Sequence, residues 1–281
     1  MTIKIVTDST CDLPPDVTAK HDITVVPLYV NMGDRGYLDG VDLTRDEFYK
    51  RLLESKIIPT TAAPGTEMFR KTYEELSSEH LTGILSIHVS GSLSTTLNNA
   101  RLGAAEVTST AVTVFDSGQL SLGLGFLVVA AAEAAAEGQP LEAIKTRLNE
   151  QKMRTHLFAV LDDLEFLRRS GRVNDLLAGL GSVLQIKPVF KVYNGRASYD
   201  RVRTHKRALK RLTQLLDEQG PLAELCVVHS NVPDRAEQLR DRVSYLRPEA
   251  VIPLIDVSPI IATHIGPNAV GIVGVAASGD Q

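Results

Sequence analysis

Cysteine is scarce in this chain. Cys11 and Cys226 are the only two in 281 residues, and they form neither a zinc-ligand spacing nor a CxxC redox pair. Two reduced thiols are therefore the expectation. Long apolar runs are missing as well. The most apolar stretch, "LSLGLGFLVVAAA" at 120–132, is shorter than the ~18 residues a membrane span requires, and Glu133 ends it. It reads as the start of a buried helix. No basic region followed by an apolar core opens the chain, so a secretory leader is not expected and the compartment is read as cytoplasmic. Positive charge is not in excess: the net charge is −4, which disfavours general nucleic-acid binding. The phosphate-binding signatures GxGxxG and GxxxxGK[ST] are absent, as are HExxH and paired-histidine metal spacings. The hydrolase elbow GxSxG is also missing, since Gly91-Ser92-Leu93-Ser94-Thr95 puts Leu at the nucleophile position and lacks the second Gly.

What remains is an ordinary globular composition, 43% hydrophobic and 23% charged, with enough length for one large or two modest cores. Charge is uneven along it. Residues 1–150 hold 12 Lys+Arg against 20 Asp+Glu, and residues 151–281 hold 18 against 14. Strand-like runs "IKIVTDST", "ITVVPLYVN" (23–31), "GILSIHV" (83–89) and "AVTVFDS" (111–117) alternate with helical patterns. One helix opens on a capping box, Thr44 with Glu47. Another begins near a Thr66 cap, a third is "TLNNARLGAAEV", and others fall near 121–137 and 141–153. Such alternation predicts a parallel sheet with helices on both faces. The second half adds "HLFAVLD", a short helix stopped by Gly171, and two β-rich runs about the turn-forming Asn194-Gly195. Helices near 204–217 and 234–245 and the strands "ELCVVHS", "AVIPLID" and "AVGIVGVA" complete it. The expected fold is two α/β domains. Residues 1–154 carry a mainly parallel sheet flanked by helices, and residues 155–281 carry a mixed or antiparallel sheet with helices.

The predicted parallel strands end in small polar residues: Asp8-Ser9, Ser90–Ser94 and Asp116-Ser117. Ligands of such sheets gather at the carboxyl ends of the strands. In "SIHVSGSLSTTLNNA" (86–100), Ser94 and Thr95 stand at a helix start, where free backbone N–H groups favour a carboxylate or phosphate. Plain N-capping explains the same residues. Thr60 and Thr61 precede a Pro-Gly turn, and His264 sits on a short rigid turn in "THIGPN". A histidine there can meet an anion or move a proton, or it can be structural, as His88, His205 and His229 are read to be. Residues 187–211 are basic apart from Asp200, either a solvated face or a docking surface for an acidic partner.

Taken in order, "IVTDSTCDLP", "PTTAAPG", "SGSLSTTLNNA", "FDS" followed by Gly, "LEFLRRSGRV", "KPVF", "RTHKRA" and "HIGPN" give a pattern that resembles the DegV family over residues 3 to about 275. These are bacterial fatty-acid-binding proteins, some of which serve as the acyl-carrier subunit of a fatty-acid kinase. The resemblance implies a buried long-chain fatty acid such as palmitate, no other cofactor, no metal and no catalytic residue. It implies Thr61, Ser94 and His264 as carboxylate ligands, with Thr95 and Thr96 as additional head-group contacts. Arg172 and Arg203 would face a separate ATP-dependent fatty-acid kinase. The chain departs from the family pattern at Ala62, Ala63, Gly65, Thr95 and Asn268, which puts the head-group hydrogen bonds in question.

A tail of ~16 carbons buried at ~0.8 kcal/mol per methylene gives roughly 10 kcal/mol gross, less ordering costs. A hydrogen bond to a charged group adds only ~1.5–3 kcal/mol. The tail should set affinity, and the polar residues orientation. The alternatives are a serine-dependent lipid or ester hydrolase using Ser94 with His264, and a phosphosugar-binding α/β protein using the same helix start.

Overall fold

The run "TIKIVTD" closes as strand β1 (Thr2–Asp8), buried on both faces along its second half, as a central parallel strand must be. The computed structural model describes residues 2–54, 58–77, 81–162, 164–171 and 186–278; Arg172 lies outside them. β2 (Ile23–Val26) and β6 (Leu81–His88) flank β1, and β7 (Val112–Asp116) follows, giving a four-stranded parallel sheet in the order β2-β1-β6-β7. Helices α3 (Thr66–Leu76) and α4 (Thr96–Glu106) cover one face, where Phe69, Tyr73 and Ala100 pack on Val6, Val26 and Ile84. The other face meets α5 (Leu122–Ala136).

The second sheet has six strands: β8 (Thr155–Val160), β9 (Lys187–Tyr193), β10 (Arg196–Val202), β11 (Leu222–His229), β12 (Leu254–Asp256) and β13 (Val270–Ala276). Their order is β10-β9-β8-β13-β11-β12, antiparallel except for the β11–β12 pair. Successive residues of β8 point to opposite faces. Phe158 and Val160 join the core under α8 (His205–Asp217) and α9 (Pro233–Val243), while Leu157 and Ala159 join the core that holds α5. Helix α5 thus lies between the two sheets. That is why its sequence is apolar all round as far as Ala132, as a buried helix must be, and polar only at Glu133, which is exposed. Leu124 and Leu127 are fully buried, each contributing about 1.5–3 kcal/mol by removal from water.

Several expectations hold in detail. Thr44 N donates to Glu47 Oε2 (3.1 Å) and Glu47 N to Thr44 Oγ1 (3.3 Å), closing the capping box of α2 (Arg45–Glu54). Asn194 and Gly195 take φ of 44° and 75° between β9 and β10, the two-residue turn that an Asn-Gly pair permits. Gly171, at φ 68°, caps α7 (Glu165–Ser170).

Others are corrected. The run 23–31 is two strands, not one. Pro27 has no N–H to give a ladder, and Leu28 N donates instead to Ser9 Oγ at 3.1 Å. Beyond this break β3 (Tyr29–Met32) pairs antiparallel with β4 (Arg35–Leu38) and β5 (Thr60–Ala62), a small sheet that sequence periodicity did not reveal. Thr61 is therefore a strand residue paired with Val30. Thr66 is the first residue of α3, with Gly65 at the cap position and no side-chain capping bond. The strand expected over 250–256 is confined to Leu254–Asp256. His264 lies in the last turn of a helix, α10 (Pro259–Ile265), rather than on a rigid turn. Helix α1 spans Pro15–Lys20 and helix α6 spans Leu141–Lys152.

Candidate functional site

The polar ends of the parallel strands converge on Asp8. Its Oδ1 accepts from Thr10 N (3.1 Å) and Thr10 Oγ1 (2.5 Å), and its Oδ2 from Val89 N (3.0 Å) and His88 Nδ1 (2.9 Å). Nε2 of the same ring is hydrogen-bonded to Ser86 Oγ (2.7 Å), which accepts from Tyr73 OH (2.9 Å). Asp8, His88 and Ser86 are wholly buried, so this Asp-His-Ser chain holds backbone in place and meets no substrate. His88 is structural, as expected. What it fixes are Thr10 and Val89, both walls of a cavity.

That cavity has about 770 Å³ of empty space, its mouth included. Leu28, Val89, Leu120 and Phe190 form apolar walls, and α10 contributes Ile260 and Ile261. Thr61, Ser94, Thr95 and His264 are its polar lining, together with Thr10. None of the described lining residues is Asp, Glu, Lys or Arg. Thr61 Oγ1 and His264 Nε2 are hydrogen-bonded at 2.9 Å, joining β5 to α10 across 203 residues. Ser94 Oγ is hydrogen-bonded to Thr96 Oγ1 at 2.8 Å and accepts from Thr96 N at 3.2 Å. The structure thus brings Thr61, Ser94, Thr95 and His264 to one cavity. Thr96 is buried beneath Ser94 and is not among the lining residues.

The other hydroxyls of the 86–100 stretch do different work. Ser92 Oγ donates to Gly195 O at 2.6 Å, and Gly195 N donates to Gly118 O at 2.7 Å. The tip of the β9–β10 hairpin is thereby seated on the loops that follow β6 and β7. Ser90 Oγ bonds Ser92 Oγ at 2.9 Å.

Helix α10 is held from the first half of the chain at both ends. At its start Asp12 Oδ1 accepts from Ser258 N (2.8 Å) and Oδ2 from Ser121 Oγ (2.5 Å). Burial raises the Asp12 carboxyl to about 6, against the pull of Arg45 and of these hydrogen bonds. Near its end, Tyr49 OH of α2 lies 3.2 Å from Ser230 Oγ and 3.2 Å from Asp256 Oδ1, and Ser230 Oγ donates to Gly266 O at 2.7 Å. Asp12, Tyr49 and Ser230 were not singled out by sequence. Asp12 sits within the polar run after β1, but its partner is 246 residues away.

For a hydrolase the relevant contact would join Ser94 to His264. Instead Ser94 Oγ engages Thr96 and His264 Nε2 engages Thr61. Arg203 lies outside the cavity lining, exposed between β10 and α8. In the basic stretch Asp200 binds Lys191 at 2.6 Å and Arg211 at 2.8 Å, while Lys187 meets Asp162 at 3.2 Å. His229 Nδ1 lies 3.3 Å from Asp256 Oδ1.

Known proteins share this architecture along its whole length. A family model described as uncharacterised proteins of the DegV family matches residues 2–277. A DegV domain-containing protein of Listeria innocua is 34% identical over 274 residues, 96% of this chain and 97% of its own. One from Deinococcus radiodurans is 36% identical over 278 residues, 97% of this chain and 98% of its own. A solved structure concerned with fatty-acid binding of a DegV family protein from Thermus thermophilus has a TM-score of 0.88 at 33% identity, covering 99% of this chain and 100% of that one. DegV from Bacillus subtilis, a fatty acid binding protein, gives 0.91 at 30% identity, with the same coverages.

Proposed function

This chain belongs to the DegV family, and from that premise we propose that it binds a long-chain fatty acid and presents the carboxylate to an ATP-dependent fatty-acid kinase. The tail occupies the apolar cavity walled by Leu28, Val89, Leu120, Phe190, Ile260 and Ile261. The carboxylate is held by Thr61, Ser94 and His264, with Thr95 and the backbone N–H groups at the start of α4 beside it. Thr96 acts from beneath, by fixing Ser94. The observation that carries this reading is the Thr61–His264 hydrogen bond of 2.9 Å in a cavity whose described lining holds no Asp, Glu, Lys or Arg. A carboxylate there is recognised by neutral donors and an imidazole, while dispersion and desolvation hold its tail.

The same division of labour suits a carrier in the cytoplasm rather than an enzyme. The chain holds and orients the acid, and the phosphoryl chemistry belongs to the kinase. Arg203 and Arg172 are the residues proposed to meet that partner. Native mass spectrometry of the purified protein, followed by solvent extraction, tests the reading. The expected result is a co-purifying long-chain fatty acid. A lipid-free chain that takes up no added fatty acid would overturn it.

A further inference from the structure

Thr10 faces the lipid cavity, but its neighbours Ser9 and Cys11, with Leu13, line a second one of about 1150 Å³, mouth included. Leu13, Val25, Pro27 and Val41 give it apolar walls. Its charged members are Asp39, Arg45 and Asp46. Asp39 is only 5% exposed, and its Oδ2 has no hydrogen-bond partner among the described residues. A buried carboxyl oxygen without a partner costs about 1–3 kcal/mol, and the Ser9 hydroxyl beside Asp39 offers a donor to only part of it. Asp12 and Asp8 raise the Asp39 carboxyl by repulsion, and Arg45 opposes them. Acids therefore outnumber the single guanidinium, and the local field favours a cation.

We propose that this cavity binds a small organic ammonium compound, its charged head on Asp39 and its aliphatic stem against Leu13, Val25, Pro27 and Val41. A bare metal ion fits the walls poorly. It would need several oxygen ligands, and no group of three or more His, Cys, Asp or Glu able to hold one occurs among the described residues. A carboxylate ligand would meet Arg45 but be repelled by Asp39 and Asp46. The ammonium head, in contrast, pairs with the Asp39 carboxylate that lines the cavity.

Hexylamine is the probe, with hexanol and hexanoate as controls of equal stem length. Binding is read by calorimetry and by the methyl resonances of Leu13, Val25 and Val41. Hexylamine should bind saturably and shift those methyls, and both controls should bind at least tenfold more weakly, the equivalent of one charge-assisted hydrogen bond. Asp39→Asn should weaken hexylamine about tenfold by the same argument, and Arg45→Gln should tighten it by removing the competing cation. Burial raises Asp39 to about 7, so affinity should climb across roughly pH 6 to 8 as the carboxyl ionises. Arg45, Asp12, Asp8 and Asp46 face it and shape that climb. Equal binding of hexanol or hexanoate, or no hexylamine binding, overturns the proposal. So does unaltered affinity in Asp39→Asn. Should that variant fail to fold, a pH-independent affinity in the unsubstituted protein overturns it equally.

Discussion

Replacing Gly266 with Ala tests how α10 is held against α7. Gly266 ends α10 with φ 75° and ψ 177°, a conformation open essentially to glycine alone. Its N–H donates to Ala262 O (2.8 Å) and its carbonyl accepts from Ser230 Oγ (2.7 Å), so the peptide is fixed on both sides. A Cβ would stand 2.5 Å from Phe166 Cδ2, 2.8 Å from Cε2 and 2.9 Å from Cγ. Turning the ring about χ2 leaves Cγ where it is, so relief requires a change of χ1 or a backbone shift. The backbone strain costs about 1–3 kcal/mol and the overpacking about 1–3 kcal/mol, hence roughly 2–6 kcal/mol together. Urea unfolding of lipid-stripped protein measures it, so that bound ligand does not mask the loss. The chain has no tryptophan, so far-ultraviolet circular dichroism is the signal. Phe166→Ala in the Gly266→Ala background should recover the packing share but not the backbone share. A loss under about 0.5 kcal/mol, the noise of surface substitutions, refutes the reasoning. Full rescue by Phe166→Ala refutes the strain component alone.

Two further outcomes follow from the structure, and two from the proposed function. Burial raises the Asp39 carboxyl from its ordinary 3.8 to about 7, so the native chain holds the extra proton and stability from this group falls as pH rises through about 4 to 7. Asp39→Asn should match the parent near pH 4 and exceed it by up to the order of 4 kcal/mol near pH 8, and a constant difference across thermal melts at several pH values counts against this. Tyr49→Phe removes the hydroxyl shared with Ser230 and Asp256 and should cost about 1–2 kcal/mol in chemical denaturation, with no loss meaning that the tether is idle. Ser94→Ala and His264→Ala should retain the fatty acid by mass spectrometry yet lower the rate of its phosphorylation by the kinase; an empty protein would show that the head group, not the tail, dominates binding. Arg203→Glu should raise the carrier concentration needed for half-maximal kinase rate without releasing lipid, and unchanged kinetics would remove Arg203 from the partner surface.

Short-range chemistry was legible in the linear chain because it acts over a few residues. The Thr44–Glu47 capping box, the Asn194-Gly195 turn and the parallel strands ending in polar residues are all local. The all-apolar run that became α5 announced its own burial, since no helix keeps such a surface in water. The ordered motifs also pointed to Thr61, Ser94 and His264 together, and the structure lines one cavity with all three. What the chain alone could not disclose were choices made by packing. Pro27 marked a break, but nothing local said that the following strand would leave the parallel sheet for an antiparallel one that carries Thr61. Five hydroxyls between Ser90 and Thr96 look alike in sequence. Tertiary contacts give Ser92 to the hairpin tip, Ser94 and Thr95 to the cavity and Thr96 to the support beneath them. Asp12 and Ser258 meet across 246 residues, and Thr61 and His264 across 203. A backbone conformation is selected by its nearest neighbours along the chain. The partner of a hydroxyl or carboxylate is whatever the packed core brings within 3 Å, and that is decided only once both sheets have closed on α5.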